Sequence, residues 1–345
     1  SYFKLAANQK HIEALIMLGV SYIIGIGVAC DKKKAIDYLT QARIENQQKH
    51  QTNLQYIENK VKNILYSVLI NKDKNDPEIL YAHGIMYTKG ISFPKDYNKA
   101  IRYFKLAANQ NHDKAQLVLG EIYLKDQFVP RNVDKAIHYL TLAANQNNLK
   151  AQLYLGLIYF DNKYTAQDIN KAINYFILAA NQNSAYAQYA LGSVYTSSDE
   201  SIRNINKAIH YLSLASNQNL PQAQFSLGLI YYKGEHVSRD INKAIHFYSL
   251  AANQNFSHAQ FYLGMIYISN QYVEVDIDKA LHFLTLASKQ NHPLAHAFLG
   301  SIYYLGEYVP RDINKAIHYF SLASEQNVSE ALFQLGTIYY DGEYI

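Results

Sequence analysis

The chain has 345 residues, a formal net charge of +4 at neutral pH, 32 tyrosines, no tryptophan and one cysteine. This net charge is small for the length, so the composition gives no general preference for nucleic acid or another polyanion. The single cysteine, Cys30, excludes a disulfide framework within the chain. It favours a reducing compartment, and we therefore expect a cytoplasmic location.

A glycine recurs at a fixed step of 36 residues through most of the chain. The glycines of this column are Gly84, Gly120, Gly156, Gly192, Gly228, Gly264, Gly300 and Gly336. Positions within a repeat are counted below from this glycine as zero. Gly19 precedes Gly84 by 65 residues, so one earlier copy is separated from the others by 29 extra residues. A fixed period of this length is typical of stacked repeats rather than of separate globular domains.

Each repeat is predicted to be a pair of helices joined by a short loop. Prolines at −7 mark the start of helix A, and glycines at +6 mark its end. Asp or Asn at +12 is a good N-cap for helix B, and Asn at +27 tolerates the left-handed conformation that ends it. The zero glycine lies inside helix A, where glycine costs about 1 kcal/mol relative to alanine. We therefore expect it to permit a close approach between helices A and B.

The chain opens inside a helix B and closes after a helix A. Tyr2–Gln9 has the same sequence as Tyr103–Gln110, and Ile345 falls in the loop that follows the last helix A. We predict one solenoid over residues 1–345, with eight complete hairpins and a half-repeat at each end. Neither end has the polar cap that solenoids need, so we expect a fragment of a longer protein.

The first complete repeat has an unusually apolar helix A. Ala14–Cys30 is an uncharged run of 17 residues, which is just inside the lower limit for a membrane span. Because its glycines fall in the repeat columns, we interpret it as a helix A, and no membrane span is predicted. Its positions −2, +1 and +5 are Met17, Val20 and Ile24. These residues predict either an exposed apolar patch for a partner or a surface that the adjacent insertion covers.

The extra residues lie within about residues 43–76. Apolar residues at helical spacing predict one inserted amphipathic helix: Leu54, Ile57, Val61, Ile64, Leu65 and Val68. This helix either packs on the solenoid or presents its apolar face to a partner.

The columns are well formed in the repeat around Gly228. That copy contains Ala223-Gln224, Leu227-Gly228-Leu229-Ile230-Tyr231, Gly234, Arg239-Asp240 and Lys243-Ala244. This pattern resembles the Sel-one-like repeat, a relative of the tetratricopeptide repeat, although Asn stands at +27 where that family usually has Gly. The resemblance implies an all-α, right-handed α-solenoid (superhelix) of 36-residue helix-turn-helix repeats. It also implies a concave groove lined by the A helices and a role as an adaptor that holds other proteins together.

Positions −2, +1 and +5 of helix A vary while the neighbouring columns repeat. They are separated as i, i+3 and i+7, so they share one face of the helix. Aromatic and large apolar side chains on a rigid frame are the usual anchors of an interface. We predict partner contacts in the groove at Tyr154, Leu157, Tyr262, Met265, Phe298 and Leu305. The alternative is that these side chains pack against the neighbouring helix A.

Two columns of helix B carry charged or titratable side chains. Histidine occupies +18 in His138, His210, His246, His282 and His318. Consecutive copies are expected about 10 Å apart, too far for a shared metal ion, so we predict a solvated face. Lysine at +15 forms a basic ridge, which keeps a nucleic-acid or polyanion binder as an alternative. Asp or Asn at +12 partly neutralises that ridge.

No phosphate loop, HExxH, GxSxG or paired CxxC motif occurs. A catalytic site needs unique convergent residues rather than periodic columns, so we predict no enzyme activity, no cofactor and no small-molecule substrate. The predicted function is a non-catalytic scaffold that binds partner proteins or peptides in the groove. The glycosylation sequons at Asn255 and Asn327 keep an alternative open, an endoplasmic-reticulum quality-control adaptor for unfolded proteins.

Overall fold

The computed structural model describes residues 2–24, 34, 37–42, 44–45, 75–90, 94–126, 128–197, 199–340 and 342. All regular structure within these ranges is helical. The helices are α1 (Tyr2–Asn8), α2 (Ile12–Ile24), α3 (Pro77–Lys89), α4 (Tyr97–Asn109), α5 (Asp113–Leu124), α6 (Val133–Asn145), α7 (Leu149–Phe160), α8 (Ile169–Asn181), α9 (Ala185–Tyr195), α10 (Ile205–Asn217), α11 (Pro221–Lys233), α12 (Ile241–Ala252), α13 (Ser257–Ile268), α14 (Ile277–Lys289), α15 (Pro293–Leu305), α16 (Ile313–Ser324) and α17 (Ser329–Tyr340). The predicted inserted helix lies outside the described residues.

The chain forms two compact units, residues 1–166 (unit 1) and residues 167–345 (unit 2). Within each, helices A and B of one repeat pack together, and helix B then packs on helix A of the following repeat.

The ends of the helices follow the predicted columns. Helix A of the repeat around Gly84 begins at Pro77 and ends before Gly90, which has a left-handed φ of 71°. Helix B begins after Asp96, whose side chain accepts a hydrogen bond of 2.9 Å from the backbone N–H of Lys99. The same cap recurs at +12 in the later described copies. The predicted caps are therefore confirmed in these copies.

The asparagine at +27 ends helix B in the left-handed conformation, as predicted. Its φ lies between 57° and 65° in Asn111, Asn147, Asn183, Asn219, Asn255, Asn291 and Asn327. The N–H of Asn111 donates to the carbonyl of Ala108, and the next N–H donates to the carbonyl of Ala107. These bonds satisfy carbonyl groups that the end of a helix leaves without partners.

The zero glycine places helices A and B in direct contact. A Cβ atom added at Gly120 would lie 2.5 Å from Cγ of Leu140, and one added at Gly300 would lie 2.6 Å from Cδ1 of Phe320. Contacts of this kind to the +20 side chain also occur at Gly84, Gly192, Gly228 and Gly264. Real Cβ atoms essentially never make contacts this short, so any side chain at zero would displace the residue at +20. The predicted close approach is confirmed.

A buried glutamine at −4 joins three successive helices. Nε2 of Gln116 donates to the carbonyl of Ala108 in the preceding helix B at 3.2 Å. Oε1 of Gln116 accepts from Nε2 of Gln146, in the cap of the following helix B, at 2.7 Å. The same pair of bonds recurs at Gln224 and at Gln260. This glutamine ladder fixes the register between neighbouring hairpins, because a shifted hairpin would leave buried amides without partners.

We expect Gly300→Ala to lower the free energy of unfolding by about 1–3 kcal/mol, because the new methyl group would force the buried Phe320 ring out of place. Gly336→Ala is the matched control, since a Cβ there meets nothing within 4 Å. That change should leave stability equal or slightly higher, because alanine is the better helix former. Urea unfolding followed by circular dichroism measures both variants. Equal losses in the two would contradict the proposed role of the glycine contact.

Candidate partner-binding surface

Three of the open cavities in the described residues lie beside positions −2, +1 and +5 of a helix A, which we call its variable face. One of them, in unit 2, has a volume of about 440 Å³. The predicted groove residues Met265, Phe298 and Leu305 all line it. We call it the neutral cavity, because no Lys, Arg, His, Asp or Glu contributes to its wall.

The other two cavities use the same columns with different chemistry. A cavity of about 220 Å³ in unit 2 is lined at −2, +1 and +5 by Ser226, Leu229 and Lys233. One of about 160 Å³ in unit 1 is lined at these positions by Val118, Glu121 and Lys125. The same three columns thus form the wall each time, while their residues and charges change.

The predicted residues in unit 1 lie in two different environments. Tyr154 is half-buried, and burial together with the carboxylate of Glu121 raises the pKa of its hydroxyl. The side chain of Leu157 is 49% exposed. Neither residue lines one of the three cavities.

Tyr262 packs mainly against the preceding repeat. Its ring centroid lies 5.5 Å from that of Phe225, 5.7 Å from that of Tyr232 and 5.3 Å from that of Tyr248. Met265 and Phe298 are half-buried, whereas Leu305 is 59% exposed. Of the four predicted residues in unit 2, three therefore meet at one cavity, and Tyr262 belongs to the aromatic packing beside it.

The predicted apolar patch is described only in part. Met17 in α2 is half-buried, and its carbonyl accepts a hydrogen bond of 2.8 Å from the hydroxyl of Ser21. The side chains of Val20 and Ile24 lie outside the described residues. Its role in binding stays a prediction.

Two groups of cavity residues were missed by the sequence analysis. The loop position +8 lines the cavities with Phe128, His236 and Tyr308, and Tyr272 at +8 of the preceding repeat joins the neutral cavity. Position +4 of the preceding helix A supplies the opposite wall, with Ile268, Thr196 and Thr88 in the three cavities, and Tyr232 from one repeat earlier also lines the neutral cavity. The aromatic residues at +8 could have predicted this contact, because a large apolar side chain in a short loop is expected to pack against a neighbouring surface.

The lysines at +15 are engaged by their own repeat. Nζ of Lys315 lies 3.3 Å from Oδ2 of Asp312 and 4.8 Å from the ring centroid of Tyr303. The ring of Tyr303 in turn stacks on that of Tyr319 at 5.9 Å. Comparable lysine–tyrosine contacts occur at Lys99, Lys135, Lys207, Lys243 and Lys279. These contacts explain the lysine column structurally and weaken its interpretation as a ridge for polyanions.

The histidines at +18 lie on the exposed face of helix B. In the described ranges, no three His, Cys, Asp or Glu side chains are grouped so as to hold a metal ion. Likewise, none of the helices described has the length and apolar character that crossing a bilayer requires.

The repeat around Gly300 replaces the glutamine of the ladder with a buried histidine. Nδ1 of His296 lies 3.0 Å from the hydroxyl of Ser288, and its Nε2 has no partner among the described residues. His292 nearby caps α15 by accepting from the N–H of Ala295 at 3.3 Å. Burial, followed by the neighbouring His258 and His296, lowers the pKa of His292 to about 4. Burial, together with His318, also lowers the pKa of His296. Both buried imidazoles are therefore held in the neutral form at neutral pH.

Tyr248 brings a hydroxyl into a column that otherwise holds leucine or phenylalanine in the described repeats. The side chain is fully buried, and its oxygen has no hydrogen-bond partner among the described residues. Burial raises its pKa far above the ordinary value, and Tyr262 and Tyr232 add to this effect. The hydroxyl is an uncompensated polar group in the core of unit 2.

Stacked helix hairpins with recurring core columns and a variable face define the chain as an all-α solenoid, as predicted. The Sel1 repeat model matches residues 12–43, 77–112, 113–148, 149–184, 185–220, 221–256, 257–292, 293–328 and 329–345. The chain belongs to the Sel1 repeat family. Proteins of this family generally act as scaffolds for protein interactions, and their fold is typically non-catalytic.

Solved structures support the same fold. The chain is similar to c5321, a protective antigen present in uropathogenic Escherichia coli strains displaying an SLR fold, with 24% identity and a TM-score of 0.72 over 99% of this chain and 74% of that one. It is also similar to a Sel1 repeat protein from Oxalobacter formigenes, with 23% identity and a TM-score of 0.68 over 98% of this chain and 89% of that one. No curated protein matches the sequence.

We expect acid to destabilise unit 2 through His292. The pKa of its imidazole is about 4 in the folded chain and 6.5 when unperturbed, so only the unfolded chain takes up the proton between these values. Neutral His292 makes its whole contribution to the free energy of unfolding above about pH 6.5. The free energy of unfolding then falls by up to about 3 kcal/mol as the pH drops towards 4. Urea unfolding at a series of pH values measures this loss.

His292→Asn is the control, because Asn148 caps the equivalent helix by accepting from the N–H of Ala151 at 3.1 Å. The variant should keep the cap and lose this part of the pH dependence. Identical pH profiles for the wild type and the variant would contradict the assignment to His292.

We expect Tyr248→Phe to raise the free energy of unfolding by about 1 kcal/mol, because it removes a buried hydroxyl that has no partner. Phe320→Tyr is the reverse experiment in the same column of unit 2, and it should lower stability by about 1–3 kcal/mol. Thermal and urea unfolding compare the two variants. A loss of stability in Tyr248→Phe would mean that the hydroxyl has a stabilising partner.

Proposed function

We propose that this chain is a non-catalytic scaffold that binds a segment of a partner protein along the variable face of its A helices, with the neutral cavity as the main contact in unit 2. The observation that carries the proposal is the recurrence of the cavities at one place in the repeat. Positions −2, +1 and +5 line all three, while their side chains differ in size and charge. A constant position with changing chemistry is what selective binding by a repeat protein requires.

The frame around the neutral cavity supports this role. Leu299 and Ile302 on α15 are buried in the same cluster as Leu284 on α14. A close glycine contact lies on each side, at Gly264 and at Gly300. Because these backbones are already fixed, a partner that binds here has little ordering cost to overcome on the scaffold side.

The surrounding chemistry also favours binding over catalysis. Histidine, lysine and aspartate recur as columns of helix B, and the lysines are held by their own Asp and Tyr neighbours. A nucleic-acid ligand would have to compete with these contacts for each lysine. We therefore favour a protein partner over a polyanion.

The test is protein capture by the immobilised full chain from a lysate of the source cells. Met265→Ala, Phe298→Ala and Leu305→Ala together remove the large side chains of the predicted residues that line the neutral cavity. Capture of a specific partner should fall by roughly tenfold or more, as expected when buried interface anchors are truncated.

His246→Ala, His282→Ala and His318→Ala form the control variant, because these side chains are exposed on helix B. The control should capture as much partner as the wild type does, and circular dichroism should show both variants folded. Undiminished capture by the cavity variant, or equal losses in both, would overturn the proposal.

A further inference from the structure

The wall of the neutral cavity is aromatic on two sides and carries no charge. Tyr232 and Tyr272 come from the earlier repeats, and Phe298 and Tyr308 come from the repeat around Gly300. By contrast, each of the other two cavities has a lysine and a glutamate in its wall. The occupant that fits the neutral cavity is therefore itself uncharged at the contact, since a desolvated charge would find no partner among the residues of the wall.

The polar groups at the rim are hydroxyls and carboxamides. Ser269, Asn270 and Gln271 form the loop after α13, and both carboxamide residues are exposed. The helices α11 and α15 instead end in a glycine that is followed by a glutamate, Gly234-Glu235 and Gly306-Glu307. The loop after α13 thus offers neutral N–H and O–H donors at a position where these two neighbouring repeats place a carboxylate.

The aromatic side chains are held in position before anything binds. The ring centroids of Tyr232 and Tyr272 are 5.7 Å apart at an interplanar angle of 67°, so the two rings pack edge to face. Tyr262 supports Tyr232 from the other side at 5.7 Å and 84°. The guanidinium of Arg239 lies 5.7 Å from the centroid of Tyr272. A cationic occupant would therefore meet a positive charge that is already placed over this ring.

We propose that the neutral cavity binds a proline-rich segment of the partner in the polyproline II conformation, an inference that rests on the proposed function. Proline rings are compact and apolar, and proline-rich segments dock in aromatic-lined grooves, which is a known mode of peptide recognition. A polyproline II chain makes no internal hydrogen bonds, so its carbonyl groups are free to accept from the rim donors. Proline also brings no N–H group that would need an acceptor in the cavity.

Fluorescence anisotropy of short labelled peptides with the full chain tests this inference. The probe is a nine-residue peptide made of three Pro-Pro-Leu triplets, and its matched control replaces every proline with alanine. A third peptide replaces each leucine with glutamate, and neutral chitohexaose is added as a competitor. The proline peptide should bind roughly tenfold or more tightly than the alanine and glutamate peptides. Chitohexaose should not displace it.

Two variants test whether the proline peptide binds in the neutral cavity. Tyr308→Ala removes one aromatic wall, and Ser301→Glu introduces a carboxylate in the way that Glu121 does at the same column in unit 1. Each should weaken binding of the proline peptide by roughly tenfold or more. His282→Glu, which adds a carboxylate on the exposed face of helix B, should leave binding unchanged.

Equal binding of the proline and alanine peptides, preference for the acidic peptide, or displacement by chitohexaose would each overturn the inference. So would undiminished binding to the Ser301→Glu variant. Failure of the inference is distinguishable from failure of the proposed function. A scaffold that captures its partner through the cavity yet ignores proline peptides would leave the proposed function standing.

Discussion

The contact between the zero glycine and the side chain at +20 is the constraint on which the rest of the repeat depends. The missing side chain lets a buried ring or leucine lie against the backbone of helix A, as Phe320 does at Gly300. With the two helices this close, the alanines at +16 and +23 are fully buried, for example Ala316 and Ala323. Close packing then leaves little tolerance for volume changes at these positions. This packing offsets the free energy that glycine costs in a helix relative to alanine. Glycine therefore recurs at zero wherever this contact is made.

This constraint separates each repeat into a frame and a variable face. The frame includes the glycine contact, the asparagine that ends helix B and the glutamine ladder, for example Gln260 with Gln290. None of these needs the side chains at −2, +1 and +5, which are therefore free to differ from repeat to repeat. The resulting cavities range from charged, with Lys233 and Glu235, to uncharged and aromatic, with Phe298 and Tyr308. Selectivity can change here without a change in the fold.

The sequence was sufficient to predict the features that depend on one residue type at a fixed position of the repeat. The cap at Asp96, the left-handed Asn111 and the close glycine contacts all followed from residue types in fixed columns. The site was harder to predict, because a cavity depends on how two repeats meet. Met265, Phe298 and Leu305 line one cavity, whereas Tyr262 fills the space beside Tyr248. The loop position +8 was missed, because helical periodicity does not predict which surface a side chain in a loop packs against.

The most direct test of this separation is an exchange of the variable face between two repeats of unit 2. The substitutions Ser301→Leu, Leu305→Lys and Tyr308→His copy Leu229, Lys233 and His236 into the neutral cavity at +1, +5 and the loop position +8, while Phe298 at −2 is kept. Capture from a lysate, together with urea unfolding, measures the result. The account predicts a free energy of unfolding within about 1 kcal/mol of the wild type, because such positions carry little of the packing, and a changed set of captured proteins. Loss of the fold, or an unchanged set of captured proteins, would contradict it.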